Sequence, residues 1–239
     1  MSFARHGPWE SAFSTQTFCA RILERHRSAI RVQKEHVAVA NLARIIEATL
    51  RLSNERGFHA ASLRDLAKAS GLSMGGLYCY FENKTMLLSM ILGEVMATVT
   101  EILSAPPQEV VPDARAHLRW FFDTHVRLSE AMLPWFVFAF MEAKSFPPAE
   151  RKIAVEGEAA TERIMAEILE RGVASGAFAI AEVGLTASLI KPLLQDWYVK
   201  RAKYRKRGTS IDGYIEAVTA FAERALTAKW TGDAQRGRE

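Results

Sequence analysis

His117 and His125 stand eight residues apart, with Asp113 and Asp123 nearby. On a helix that spacing is about two turns, so the four side chains could be drawn into a metal site. Each lies among ordinary amphipathic positions, however, and histidines without a ligand role fit the pattern better. No metal or cofactor is expected. No glycine loop ends in Gly-Lys-Ser/Thr, and no Gly-x-Gly-x-x-Gly is present. No nucleophile, base and orienting group assemble from the sequence, so the chain does not read as an enzyme.

Two other stretches are chemically pronounced. Trp135, Phe136, Phe138, Phe140, Met141 and Phe146 crowd one short segment. Core packing explains most of such a run. Aromatics and methionine also line apolar ligand cavities, and Trp120, Phe121 and Trp197 are candidates for the same wall. Residues 200–207, KRAKYRKR, hold six cations in eight positions. They read as a solvated helix end favoured by the helix dipole, or as a site for a polyanion.

A third stretch, GLSMGGLYCYF at 71–81, places two adjacent glycines before two tyrosines and a phenylalanine. The flanking sequence is helical. Leu42, Ile45, Ile46, Thr49 and Ser53 share one helical face, and Gly57 ends that helix. Ser62 with Asp65 forms a variant capping box that opens a short helix broken by Gly71. Ser73 caps a further helix through Phe81. Two short helices about a tight glycine turn are a helix-turn-helix, whose second helix enters a DNA major groove. Gly75 and Gly76 would let backbone approach the DNA closely. Tyr78 and Tyr80 would offer hydroxyls to phosphates, while Phe81 turns to the core.

Helical patterning continues to the end. Lys84 begins a helix with Leu87, Ile91, Val95 and Leu103 on one side, ended by Pro106-Pro107. Pro112 starts a helix through about Ser129, and Pro134 starts the aromatic one. Pro147-Pro148 opens a long helix to about Ala174, closed by Gly176. Glu182 to Arg207 reads as one helix kinked at Pro192, and Ser210 caps the last. The sequence implies an all-α fold of about nine helices, with a further basic helix before Val37.

The segment SLRDLAKASGLSMGGLYCYFENKTMLL resembles the DNA-binding part of the TetR family of transcriptional repressors. The S-x-R-D-L-A helix, the G-L-S turn, the G-x-L-Y-x-Y-F recognition helix and the N-K-x-x-L-L start of the next helix follow in order, over about residues 38–92. The resemblance implies phosphate contacts from Ser62 and Lys84. It puts Arg64 near the end of the first short helix, within reach of a base. Ser73, Met74, Gly75 and Gly76 would face base edges, and Tyr78 and Tyr80 the DNA backbone. Gly76 departs from the Thr, Ser or Ala of many members, which thins hydrogen-bonded readout and leaves more to Arg64 or to DNA shape.

The charge distribution fits this frame. Residues 1–93 hold 12 Lys/Arg against 7 Asp/Glu, while 94–239 hold 19 against 20. The basic front is suited to a polyanion. No secretory signal is read at the N-terminus, no apolar run is read as long enough to span a bilayer, and the two cysteines read as reduced thiols. The expected organisation is an N-terminal extension at 1–36, a DNA-binding domain at 37–85, a ligand-binding and dimerisation domain at 86–232, and a tail at 233–239.

The expected function is that of a cytoplasmic homodimeric repressor released from its double-stranded DNA operator by a small hydrophobic effector. Trp120, Phe121, Trp135, Phe138, Met141 and Trp197 are the candidate ligand wall. An acyl-coenzyme A effector, with phosphates near Lys203, Arg205 or Lys206, is the alternative. An all-α enzyme or carrier without DNA function is the second. Tyr214, Val218, Phe221, Ala225 and the facing part of 185–198 look too apolar for solvent, as a dimer surface would.

Overall fold

Apolar residues at three- and four-residue spacing demand helices along nearly the whole chain, and the computed structural model, which describes residues 14–227, contains eleven α-helices. They are α1 Thr15–Arg25, α2 Glu35–Arg56, α3 Leu63–Ser70, α4 Met74–Leu77, α5 Lys84–Leu103, α6 Ala114–Ala131, α7 Leu133–Met141, α8 Pro148–Ala174, α9 Val183–Val199, α10 Arg201–Lys206 and α11 Ile211–Thr227, with a 3₁₀ turn at Ala143–Ser145. No strand occurs among the described residues. The expected tail at 233–239 and the first 13 residues of the expected extension lie outside them.

Two compact units form. The first runs up to Thr98 and adds Ala131–Gly157; the second is Val99–Glu130 with the residues from Glu158 onward. The first unit therefore takes in more than the DNA-binding segment expected at 37–85. Helix α1 belongs to its core. Phe18, Cys19, Ile22 and Leu23 are buried, and Ser14 Oγ accepts from Thr17 N at 3.1 Å to cap the helix. Burial of an Ile or Phe side chain contributes on the order of 1.5–3 kcal/mol, which can hold a helix too short to persist alone. Leu42, Ile45, Ile46, Thr49 and Ser53 of α2 are buried as a face, and Gly57 ends that helix at φ +83°.

In the same unit Trp135 of α7 packs against Phe18, with ring centroids 5.2 Å apart. Phe138 meets Phe58 at 5.7 Å and Phe146 at 5.6 Å. Helix α5 corrects the expectation that no apolar run is long enough for a bilayer: by length and composition this helix is. Its setting is that of a core helix. Leu87, Leu88, Met90, Ile91 and Leu92 are fully buried, and Glu94 at its middle is paired with two arginines of α1.

The second unit packs Phe121, Phe122 and Val126 of α6, Met165, Ile168 and Leu169 of α8, Leu194 and Trp197 of α9, and Ala222 and Leu226 of α11. Arg119 pairs with Glu223 at 2.5 Å, and Arg127 with Asp212 at 2.7 Å.

Several boundaries differ from the expectations. Helix α6 starts at Ala114 rather than at Pro112, because Asp113 Oδ1 takes the Arg115 N–H at 2.9 Å as a cap would. The single helix expected over 182–207 is two. Pro192 stays inside α9, and the break falls at Lys200, whose backbone leaves the helical region at φ −112°. Val218 and Ala222 face their own unit's core, and Ala225 is exposed.

Candidate nucleic-acid interface

Two serine caps and one left-handed glycine build the helix-turn-helix. Ser62 Oγ accepts from Asp65 N at 3.1 Å, while Asp65 Oδ2 takes the Ser62 N–H at 3.0 Å, a reciprocal capping box at the start of α3. The hydroxyl of Ser62 and its main-chain N–H, both hydrogen-bonded to the Asp65 carboxylate, hold that carboxyl below its usual range. Gly71 ends α3 at φ +68°, a conformation in which a Cβ is disfavoured. Leu72 N then donates to Ala67 O at 3.1 Å, turning the chain toward α4. Ser73 Oγ accepts from Gly76 N at 3.0 Å and opens α4.

The recognition helix is shorter than expected. Regular helix covers Met74–Leu77 and gives way to turns before Phe81. The hydrogen bonds there tighten to three-residue spacing, Cys79 N to Gly76 O at 3.3 Å and Tyr80 N to Leu77 O at 2.9 Å. Two successive glycines supply little helix propensity, so the α-pattern lasts about one turn.

Arg64, Ser73, Gly75 and Tyr78 are exposed, Tyr78 by 43%. Met74 and Gly76 are half-buried. Nothing lies within 4 Å of where a Cβ on Gly75 would project, so the helix presents open backbone there. Arg64 stands in the first turn of α3, not near its end.

Tyr80 and Lys84, both expected to contact phosphate, have partners within the free protein. Tyr80 is 1% exposed, and its hydroxyl accepts from Asn41 Nδ2 at 2.9 Å. Its side chain reaches α2 through that bond, and Phe81 beside it is also 1% exposed. The Lys84 ammonium donates to the carbonyls of Phe58 and, at 3.3 Å, His59, and lies 4.3 Å from the centre of the Phe58 ring. Burial pulls its pKa below the usual lysine value, which Glu142 partly offsets. In the free protein Lys84 thus braces the loop between α2 and α3. Ser62 is exposed, but its hydroxyl donates to Asp65 Oδ2 at 2.7 Å.

The supports of this motif are residues that no sequence pattern singled out. Arg44 Nη2 donates to Gly71 O at 3.2 Å, and Arg31 N donates to Cys79 O at 2.8 Å. Glu142 Oε2 accepts from Phe58 N at 2.8 Å. Such partners are far apart in sequence, and no local signal marks them. Arg44, Arg51 and Lys68, with Glu47, line an open groove of about 270 Å³ beside the turn. The exposed face of the motif is cationic, as a polyanion partner requires.

The residues expected to form a ligand wall divide between the units. In the first, Trp135 and Phe138 are buried among other aromatics and Met141 is 56% exposed. In the second, Phe121 is fully buried beside Phe122, and half-buried Trp120 lies 5.7 Å from His117. Trp197 is fully buried with Nε1 donating to Glu130 Oε2 at 2.9 Å. The two histidines that could be drawn as a metal pair have other surroundings. His117 lies 2.8 Å from Arg171 Nη2, and burial takes the His125 pKa down to about 3.

Half of the basic run is tied down within the second unit. Lys200 pairs with Asp196 at 2.5 Å, Lys203 with the same carboxylate at 2.9 Å, and Arg201 with Glu130 at 2.7 Å. Arg205, Lys206 and Arg207 remain exposed.

Residues 45–91 match the model of bacterial regulatory proteins of the tetR family, and residues 111–200 match the tetracyclin repressor-like C-terminal domain. The HTH-type transcriptional regulator BetI of Pseudomonas fluorescens is 31% identical over 99 residues, 39% of this chain and 50% of that protein. The chain thus spans about half the length of that relative. HbdR of Aromatoleum sp. strain CIB, another HTH-type transcriptional regulator, is 24% identical over 187 residues, 77% of this chain and 80% of that one. Among solved structures, the TetR family transcriptional regulator PfmR from Thermus thermophilus aligns with a TM-score of 0.62 and 28% identity, covering 77% of this chain and 97% of that one.

Proposed function

This chain belongs to the TetR family, and from that premise we propose that it is a cytoplasmic, ligand-responsive repressor that binds operator DNA as a homodimer and leaves it when a small hydrophobic effector binds. The observation that carries the reading is the capped α3, the left-handed Gly71 and the short α4, with Arg64, Ser73, Gly75 and Tyr78 exposed together. Tyr78 meets phosphate, Arg64 reads a base or phosphate at the groove edge, and the bare backbone at Gly75 permits close approach.

A homodimer presents two such motifs about one DNA turn apart, roughly 34 Å. Leu185 and Leu189 of α9 and Phe221 of α11, exposed by 55%, 66% and 61%, support a partner surface on those helices. The effector acts by preferring a state in which the two motifs no longer match that spacing. The ion pair of Lys203 with Asp196 removes one of the three cations that an acyl-coenzyme A would use, while Arg205 and Lys206 stay exposed, so that effector remains the alternative. The named relatives are transcriptional regulators, which weighs against an enzyme or carrier.

The test is a gel shift and footprint of the protein on the promoter of its own gene over a range of salt. A protected near-palindrome with a steep salt dependence is expected. Binding no stronger than to random DNA would sink the reading. Light scattering of wild type and of Leu189→Asp with Phe221→Asp should give a dimer and a monomer.

A further inference from the structure

Lys191 on α9, in the second unit, has 3% of its surface exposed. Its ammonium donates to the Thr161 hydroxyl and, at 3.4 Å, to the Glu158 carbonyl. Both acceptors are neutral oxygens. Glu158 and Glu162 act on it through charge, but each carboxylate is bonded elsewhere. Glu158 Oε1 accepts from Gln195 Nε2 at 2.7 Å, and Glu162 Oε1 from Ser188 Oγ at 2.6 Å. No carboxylate lies within ion-pair distance of Lys191 among the described residues. Fully buried His125 acts on it from α6 and brings no negative charge.

An ammonium taken out of water costs more than two neutral hydrogen bonds return, so buried charges are normally paired. Burial lowers the Lys191 pKa to about 8, which leaves it charged at neutral pH. Most of that face of α9 is apolar, with Ala187, Ile190, Leu194 and Trp197 buried beside the polar tips of Gln195 and Tyr198. The next residue is Pro192, which has no N–H for the Ser188 carbonyl, so the helix can bend beside the lysine.

We propose that Lys191 anchors the acid group of the effector, an apolar carboxylic acid whose hydrocarbon lies along the buried face of α9. The inference rests on the reading of this chain as an effector-responsive regulator. One ammonium with no second cation beside it matches a carboxylate better than a phosphate, which calls for several donors. Gln195 Nε2 gives one N–H to Glu158 and has a second for the other carboxylate oxygen, while the Thr161 hydroxyl is already committed to the Glu158 carbonyl. Bending at Pro192 admits the ligand and moves α9, and that movement carries the signal.

The experiment compares decanoate and 4-phenylbutyrate with their methyl esters on the full-length protein, by calorimetry and by release of promoter DNA. Each acid should bind wild type at least ~30-fold more tightly than its ester, as expected for a buried charge pair. Lys191→Met should remove that preference, keep ligand-free operator affinity, and melt no lower than wild type because an unpaired charge is gone. Equal binding of acid and ester to wild type, no binding of either acid, or an acid preference that survives Lys191→Met would overturn the anchor. If Lys191→Met does not fold, Lys191→Gln takes its place, and the wild-type ratio stands on its own. Wild type that binds its operator but shows no acid preference sinks the anchor alone. Wild type that prefers acids but does not bind the operator sinks the regulator reading alone.

Discussion

The Tyr80 hydroxyl accepts a hydrogen bond from Asn41 Nδ2 at 2.9 Å. That bond ties the turn after the recognition helix to α2, and it separates two tyrosines that the sequence presents as equals. Tyr80 is 1% exposed and Tyr78 43%. Tyr80→Phe should therefore cost about 0.5–1.5 kcal/mol of stability by leaving Asn41 short of a partner. Tyr78→Phe should leave stability within ~0.5 kcal/mol and weaken binding to all DNA sequences. Urea melts and gel shifts on both variants check this. A Tyr80→Phe protein of wild-type stability that no longer binds DNA would mean that Tyr80 leaves the core in the complex.

The glycines of the motif are also unequal. A Cβ on Gly75 would meet nothing within 4 Å, so Gly75→Ala should stabilise the free protein by roughly 0.5–1 kcal/mol. The same methyl would stand where the helix approaches DNA, and operator affinity should fall. Gly71→Ala should destabilise, because φ is +68° and the Arg44 guanidinium occupies the space a Cβ would need. Thermal melts with operator titrations separate the two. A stabilised Gly75→Ala protein with undiminished affinity would show that α4 keeps its distance from the bases.

The motif itself was legible in the sequence because caps and turns are local. Ser62 with Asp65, Gly57, Gly71 and Ser73 each act within a few residues, and all stand where expected. The destinations of Tyr80 and Lys84 were not legible. They depend on Asn41 and on the Phe58–His59 carbonyls, 39 and about 25 residues away. Periodicity reports which face of a helix is apolar, not which polar tip finds a partner inside. The break at Lys200 escaped for a related reason. Pro192 is the visible breaker, but the chain turns where Asp196 gathers Lys200, Lys203 and Tyr204.

Glu94 gives an asymmetric prediction. Its side chain is 1% exposed and takes Arg21 at 2.5 Å, Arg25 at 3.1 Å and the Thr98 hydroxyl at 2.9 Å. The two arginines are 30% and 47% exposed. If Glu94→Gln removes the acid, both guanidinium groups can turn to water, and the loss should be about 1–3 kcal/mol. Arg21→Ala with Arg25→Ala leaves the carboxylate buried and unpaired, and should cost more, about 3–5 kcal/mol. Denaturant melts at neutral pH rank them. The opposite order would mean that α1 is held by its apolar face alone.

Asp196 should make the second unit sensitive to acid. Burial pushes its carboxyl up, but hydrogen bonds from Lys200, Tyr204 and Lys203 outweigh that and hold its pKa at about 2, against an ordinary 3.8. The folded value is the lower one, so the group stabilises the fold above pH ~4, and that contribution fades as pH falls from about 4 through 2. Protonation also frees Lys200 and Lys203 from their shared partner. Asp196→Asn lacks the titrating group. The stability gap between wild type and Asp196→Asn should be constant from pH ~5 to ~7 and close below pH ~4. Urea titrations of both proteins across that range measure it. A gap at pH ~2.5 undiminished from its neutral-pH size would mean that the cations of 200–203 stabilise the fold without this carboxylate.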